Sequence, residues 1–436
     1  MRGGRLAAVV VLGALSAQAN SFETFGFGPR GTAMAGAVTA AADDYTAVFY
    51  NPSMLVLRKE LGFGFSFTWN RAVTSVRSAE NGRELDCAYC QPPDAVGYDV
   101  GLLFPLAGKV KNRVALGVGL HLPSQRFLRV LSPDPSRPFW YQFNSNPERF
   151  VFYAAAGIRL LDNLSIGIGV QALDDLIGQG ANARVDLFSR AVKLRELDSH
   201  MANRAGPVAG LYWAVTPRLR LGLSFRWEMA LLVRIPAQVD LEGIGSLGFS
   251  VQGVVHYSPH TLAGGVAFDV TEKLTLTLDG QWMNWRAAPS PYLDLDIDLS
   301  GDTLRALGID EALDLSSPRV TPGFADTLGG RLGLEYRVSE RFAARAGAFY
   351  RPTPVPRQDA PSTNILDASA VGGALGVGIA FDDPLEVFVH PVKLDVATQG
   401  ALLLPREAKK EPTDSVPPYT YSARLHGFTV AIRYDF

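Results

Sequence analysis

The chain has 436 residues, 41 of them Lys or Arg and 43 Asp or Glu, and its formal charge of −2 offers no basic surface for a nucleic-acid partner. Charged residues make up 19%, below the roughly 25% usual for soluble domains, while 43 glycines and 10% aromatics are kept. The length would ordinarily mean two or three domains, yet no linker or change of composition divides it. That combination suits one β-barrel in lipid.

Arg2 and Arg5 precede an apolar run from Leu6 to Leu15, too short to span a bilayer, and Ala17-Gln18-Ala19 supplies an A-x-A cleavage site. Residues 1–19 therefore read as a secretory signal, with the mature protein expected to begin at Asn20. No later uncharged apolar run approaches the roughly 18 residues of a helical span. Residues 20–58 open with small residues (Gly31, Ala33, Ala35, Gly36, Ala37, Ala40 to Ala42) that allow close backbone packing. The acidic pair Asp43 and Asp44 follows, then aromatics and the turn-former Asn51-Pro52, whose proline bars helix continuation. Cys87 and Cys90, three apart in a polar stretch of an exported chain, point to a local disulfide; a metal site would want more ligands nearby.

From residue 59 onward the sequence falls into runs in which apolar and polar residues alternate. Leu219, Leu221, Leu223, Phe225 and Trp227 oppose Arg220, Gly222, Ser224, Arg226 and Glu228, and Leu274, Leu276, Leu278 and Trp282 oppose Thr275, Thr277, Asp279 and Gln281. About fourteen strands are expected, near 60–76, 95–106, 112–122, 150–161, 163–173, 205–216, 218–229, 257–270, 273–285, 326–338, 340–351, 367–381, 386–398 and 422–436. Short links alternate with long ones (77–94, 123–149, 174–204, 230–256, 286–325, 352–366, 399–421). An even strand number with tight turns on one side and long loops on the other describes an all-β, transmembrane antiparallel barrel of the outer membrane over residues 59–436. The last strand carries Phe428, Val430, Ile432, Tyr434 and Phe436 on one face, as the assembly signal of bacterial outer-membrane barrels does, and must pair with the first to close the wall.

Fourteen strands enclose a lumen too wide for strand side chains to fill, so residues 20–58 are expected to form a plug, or hatch. The series Gly31, Ala33, Ala35, Gly36, Ala37, then Ala42-Asp43-Asp44, then Val48-Phe49-Tyr50-Asn51-Pro52-Ser53 resembles the N-terminal hatch of the FadL-type outer-membrane transporters. Asp279 to Trp285 resembles that family's tryptophan-bearing central strand, and Arg345 to Pro356 its late strand-to-loop junction. The departure is Ser53, where the family's hatch usually has alanine; it adds a polar atom to a tightly packed turn.

The resemblance implies passive transport of hydrophobic compounds, long-chain fatty acids or, in the toluene-transporter branch, aromatic hydrocarbons. Capture would fall to apolar extracellular loops and release to a gap in the barrel wall, with Asp43, Asp44, Asn51, Pro52 and Ser53 at the gate. For capture, the sequence offers Leu231, Leu232, Val233, Leu247 and Phe249 in one loop and Leu176, Ile177 and Phe188 in another; these loops could equally bury each other. Arg226, Arg331, Glu335 and Asp279 are polar lumen candidates, within an inward set that also holds Arg113, Arg220, Arg337, Arg345 and Arg433. They could pair a fatty-acid carboxylate, or bond one another and the hatch. Arg126, Arg129 and Arg137 could meet lipopolysaccharide phosphates. The six histidines are dispersed outside any Ser/His/acid or metal-ligand pattern, so neither an enzyme, a metal site nor a cofactor is expected. Family members mostly act as single barrels, which makes a monomer the expectation; a structural or adhesive barrel without transport is the alternative.

Overall fold

The computed structural model describes residues 21–436 apart from 86, 88, 125–130, 132–133, 145–148, 187–190, 242–244, 301–302, 304–305, 307–316, 318–319, 360–362 and 384–388, and gives backbone alone at 21, 173–186, 191–204, 241, 245, 255 and 298–300. The signal-like segment, Arg126, Arg129 and Phe188 lie outside the described residues.

The strands are β1 (Gly62–Ser78), β2 (Ala95–Pro105), β3 (Val114–Pro123), β4 (Phe139–Trp140), β5 (Val151–Leu161), β6 (Leu164–Asp186), β7 (Ala191–Ala214), β8 (Leu219–Arg226), β9 (Met229–Leu241) and β10 (Gly245–Ser258). Then come β11 (Thr261–Asp269), β12 (Leu274–Met283), β13 (Asp294–Ser300), β14 (Thr327–Arg337), β15 (Phe342–Arg351), β16 (Ile365–Leu366), β17 (Ala370–Phe381), β18 (Val392–Ala408) and β19 (Tyr419–Asp435). Seventeen of them share one sheet, and fourteen of those close an antiparallel barrel; the other three, β9, β10 and β13, belong to the long loops. Closure runs from Gly62 opposite Asp435 to Ser78 opposite Tyr419. It leaves no strand edge in lipid, where each unpaired backbone group would cost several kcal/mol.

Each expected strand overlaps one barrel strand; the largest offset is β18, expected over 386–398 and found at Val392–Ala408, so that with β19 starting at Tyr419 the loop expected over 399–421 is largely strand. The alternation is plain on β1, where Phe63, Phe65, Phe67 and Trp69 face out while Ser66, Thr68 and Asn70 are buried in the lumen. Outward leucines such as Leu328 (69% exposed) and Leu375 (62%) are lipid-facing, which inverts the soluble-protein rule.

Two expectations needed correction. The segments 174–204 and 230–256 are not irregular loops. The first prolongs β6 and β7 into a hairpin rising beyond the barrel, and the second forms the β9–β10 hairpin, with 176–185 laid parallel to 233–241. Above the membrane a hairpin satisfies its backbone without the apolar/polar alternation lipid demands, so periodicity did not reveal it. Arg113 and Arg337, placed in the inward set, are exposed at the short-turn end, because Arg113 lies in the turn before β3 and Arg337 is the last residue of β14.

The hatch is built of short helical turns (Ser21–Phe25, Pro29–Ala33, Ala47–Tyr50 and Pro52–Leu57). It fits because inward positions of the wall are glycine. Tyr45 lies over Gly64 and Gly101, Leu55 over Gly117, Ser53 over Gly167, Asn51 over Gly210, Thr39 over Gly222, Met34 over Gly347 and Ala33 over Gly376, each where a Cβ would collide. Phe22, Phe27, Tyr45, Phe49 and Tyr153 complete an aromatic core between hatch and wall. The fourteen wall ladders are continuous through this level, with no gap among the described residues.

Candidate functional site

The hatch turn at Asn51-Pro52-Ser53 is fully buried. Asn51 Nδ2 donates to the carbonyls of Thr39 (2.8 Å) and Leu211 (3.0 Å), and its Oδ1 accepts from Ser53 N (3.2 Å) and Ser53 Oγ (2.6 Å). Pro52 sets the first position of the following turn, where its missing N–H costs nothing. The extra hydroxyl of Ser53 is thus satisfied within the turn itself, and Ser165 Oγ of the wall donates to the Ser53 carbonyl (2.7 Å).

On the short-turn side, the hatch is tied to the wall by alternating charges. Arg30 bonds Asp43 (2.8 Å) and Glu335 (2.9 Å); Arg345 joins Glu335 (2.7 Å) to Asp395 (2.6 Å); Arg433 joins Asp395 (2.6 Å) to Asp44 (2.9 Å). The chain begins and ends on neighbouring hatch residues. Asp43 and Asp44 are thus ion-paired to the wall through this network, to which Glu335 also belongs, and an open hollow of about 490 Å³ borders it on the short-turn side.

On the long-loop side the arrangement is sparser. Glu23 of the first turn accepts from Ser258 Oγ (2.9 Å to Oε2) and stands 3.7 Å from Arg226 Nε. Arg226 also donates to the Phe49 carbonyl (3.3 Å), with its guanidinium carbon 4.5 Å above the Phe49 ring centre. Asp279 Oδ2 accepts from Thr39 N (2.8 Å). Arg331 Nη2 donates to Gln281 Oε1 (2.6 Å), and among the described residues no carboxylate lies within ion-pair distance of it. A cavity of about 70 Å³ lies here, bordered by Glu23, Gln142, His256, Trp285, Arg331 and Arg351, with a smaller one of about 10 Å³ beneath, between Phe49, Arg226, Asp279 and Arg331. Three of the four lumen candidates, Arg226, Arg331 and Asp279, thus meet in one place.

Its roof is aromatic. Tyr141 packs on Trp285 (6.2 Å between ring centres) and Phe324 (5.6 Å), and Tyr257 on Trp285 (6.1 Å). Tyr257 Oη donates to Glu228 (2.7 Å). Burial, with the Arg149 charge nearby, holds the His256 imidazole well below its usual pKa, and burial lowers the Arg149 guanidinium to about 9. Of the capture candidates, Leu231 and Val233 are buried with Met229 against Ile235 and Leu293, while Leu232 and Leu247 are half-buried and Phe249 exposed. Leu176 and Ile177 lie on β6, in ladder register with Val233 and Arg234. Cys87 and Cys90 form a disulfide in the first long loop, and Arg137 is exposed in the second.

Sequence reasoning missed Glu23, Arg30 and Asp395. Parity would have shown Asp395 inward on β18, in step with Ala397; Arg30 and Glu23 sit in a segment without period, where nothing in the pattern separates an anchor from a surface charge. The fold also brings Ser66, Asp99 and His121 together: Asp99 accepts from Ser66 Oγ (2.9 Å) and contacts His121 Nδ1 (2.6 Å). The carboxylate lies between the other two, so no Ser–His pair exists to activate a nucleophile. Among the described residues no cluster of metal-ligating side chains occurs.

A closed fourteen-strand barrel with its lumen filled by an N-terminal hatch defines a plugged outer-membrane transport protein. Residues 9–436 match the family described as outer membrane protein transport protein (OMPP1/FadL/TodX), and the chain belongs to that family. Alkane uptake protein A of Marinobacter nauticus is 27% identical over 161 residues, 37% of this chain and 32% of that protein, so the match spans about a third of the relative. Among solved structures, a FadL homologue of Pseudomonas aeruginosa superposes with a TM-score of 0.61 at 14% identity, covering 94% of this chain and 98% of that one. The P. putida toluene transporter TodX gives 0.58 at 14% identity, covering 94% and 99%. The chain is therefore an outer-membrane barrel of a family that transports hydrophobic compounds.

Proposed function

We propose that the protein carries long-chain fatty acids inward by diffusion, with the carboxylate received by Arg331 above the hatch. The observation that carries this reading is the Arg331 guanidinium, which borders the cavity and is bonded to a neutral Gln281, with no carboxylate in ion-pair range among the described residues. A charge-assisted hydrogen bond there is worth about 1.5–3 kcal/mol. Capture falls to the β9–β10 hairpin and the β6–β7 hairpin beside it, where Leu232, Leu247 and Phe249 keep apolar surface. A cavity of about 70 Å³ is well short of the ~300 Å³ of ordinary ligand pockets, so passage requires the hatch turn or the aromatic roof to move. Release is lateral, through a wall opening that the hatch's displacement creates, and the working unit is a single barrel.

The test is uptake of radiolabelled oleate by Gram-negative cells lacking their own fatty-acid transporter. The intact protein restores uptake, and Arg331→Gln lowers it about tenfold at limiting oleate while heat-modifiable barrel assembly stays normal. Uptake of hexadecane and toluene serves as the second reading, which the aromatic roof and the alkane-uptake relative favour. Hydrocarbon uptake without oleate uptake, or oleate uptake indifferent to Arg331→Gln, overturns the carboxylate assignment.

A further inference from the structure

The outer wall at the β1–β19 seam changes character abruptly towards the long-loop end. Below the change the outward side chains are Phe63, Phe65, Phe67 and Trp69 on β1 and Phe428, Val430 and Ile432 on β19. Above it they are Arg71, Val73, Ser75 and Arg77 on β1, facing His426, Arg424, Ser422 and Thr420 on β19 in that order. Both strands switch at the same pair, Arg71 opposite His426. With ~25 Å for the apolar band of such a barrel, and Arg71 nine positions above the first paired residue of β1, the switch falls at the headgroup level of the outer leaflet. Trp69, whose Nε1 donates to Asp94 (3.1 Å), marks the boundary as interfacial tryptophans do.

The cations there are only partly neutralised. Asp94 stands 3.7 Å from Arg71, and Glu84, whose backbone bridges Arg77, borders the same groove while accepting from Gln91. Arg77 donates to Ser75 Oγ (3.1 Å). Arg424 is exposed and, among the described residues, has no ion-pair partner. The seam holds an open groove of about 520 Å³ bordered by Val73, Ser75, Arg77, Thr420, Ser422 and Arg424. Beside it on β18, outward Leu402 (55% exposed) lies in register with Arg424, so cationic and apolar surface adjoin.

We propose that this seam binds a phosphorylated glycolipid of the outer leaflet, its phosphates on Arg71, Arg77 and Arg424 and its acyl chains along Phe428 and Leu402. Three guanidiniums against two carboxylates leave a positive balance where a multiply phosphorylated headgroup lies, and guanidinium forks match phosphate oxygens two by two. The groove's breadth suits a sugar-phosphate headgroup more than a single phosphodiester. This places the glycolipid contact on the barrel wall beside the closing seam, away from the loop arginines that the sequence suggested.

The test is the full-length protein purified from outer membranes, with glycolipid phosphate counted per barrel, followed by reconstitution into nanodiscs carrying diphosphorylated lipid A, its dephosphorylated form, or phosphatidylglycerol. The expected result is that Arg71→Ala/Arg424→Ala loses at least five-fold in retained lipid A while keeping heat-modifiable migration. Arg234→Ala, on the β9–β10 hairpin and outside the groove, retains the native amount. Should the double variant misassemble, Arg424→Lys and Arg424→Gln report the same contact, with retention falling in that order. Equal retention of the dephosphorylated form, equal preference for phosphatidylglycerol, or an unchanged double variant each overturns the assignment.

Discussion

The two faces of the hatch are held by different means. Towards the short turns, six ion pairs run without a break from Asp43 through Arg30, Glu335, Arg345, Asp395 and Arg433 to Asp44. Towards the long loops, the ionic contact of the hatch recorded among the described residues is the long one from Arg226 to Glu23, beside an arginine bonded to an amide and a small cavity of about 70 Å³ in the lumen. Alternation of sign lets each buried charge offset the desolvation of the next, and it fixes the plug where it would otherwise fall through. The sparse face leaves polar groups available and space to enlarge. One side thus holds the hatch, and the other is the face to which we assign the receiving of substrate.

The most disruptive way to break this contrast is to remove one link of the network. Arg345→Ala strips both Glu335 and Asp395 of a partner inside the barrel, and the expected loss is about 3–5 kcal/mol of stability. Urea unfolding in detergent micelles measures it, and limited proteolysis should then cut the hatch in the variant but not in the native protein. A smaller effect is expected from the glycine socket. Gly167→Ala drives a methyl into Ser53 and Pro52, for about 1–3 kcal/mol of overpacking, whereas Gly280→Ala meets nothing within 4 Å and should fall within about 0.5 kcal/mol of native. Equal midpoints for the two variants would show that the hatch does not press on the wall at this level.

The wall was legible in the sequence because lipid and lumen impose opposite demands on successive residues. Leu274, Leu276 and Leu278 against Thr275, Thr277 and Asp279 leave one reading, and the inward glycines share the polar parity. The hatch was legible as a small-residue segment ahead of the first strand, but its partners were not. Which arginine meets Asp44 depends on residues 389 apart in the chain, and no period connects them. The same limit applies to Arg331 and Arg345. Both read as inward arginines on the two strands that follow the tryptophan-bearing stretch, yet Arg345 is consumed by two carboxylates while Arg331 borders open space. That distinction comes from where the hatch places Arg30 and Gly36, which is a property of the packed lumen.

The mildest perturbation is to titrate the long-loop face alone. His256 is buried on β10 beside the cavity, and the groups around it are Arg149 and Tyr141 of the roof, with Glu23, Tyr257, Arg331 and Arg351 on the cavity walls. Burial first, and Arg149 second, keep its imidazole neutral well below the usual value of 6.5. An opened roof takes up a proton that the closed roof refuses, so the stabilising effect is whole above about pH 6.5. It is lost as pH falls, at up to about 1.4 kcal/mol per unit until the folded imidazole itself titrates. The protection factors over 137–144 and 254–258, taken against intrinsic exchange at each pH, should therefore fall about tenfold between pH 7.5 and 5.5, while those in the hatch over 43–57 are kept. His256→Gln should flatten the first dependence and leave the second alone. Loss of protection in both regions together would mean that roof and hatch open as one unit, and the separation of a holding face from a receiving face would then fail.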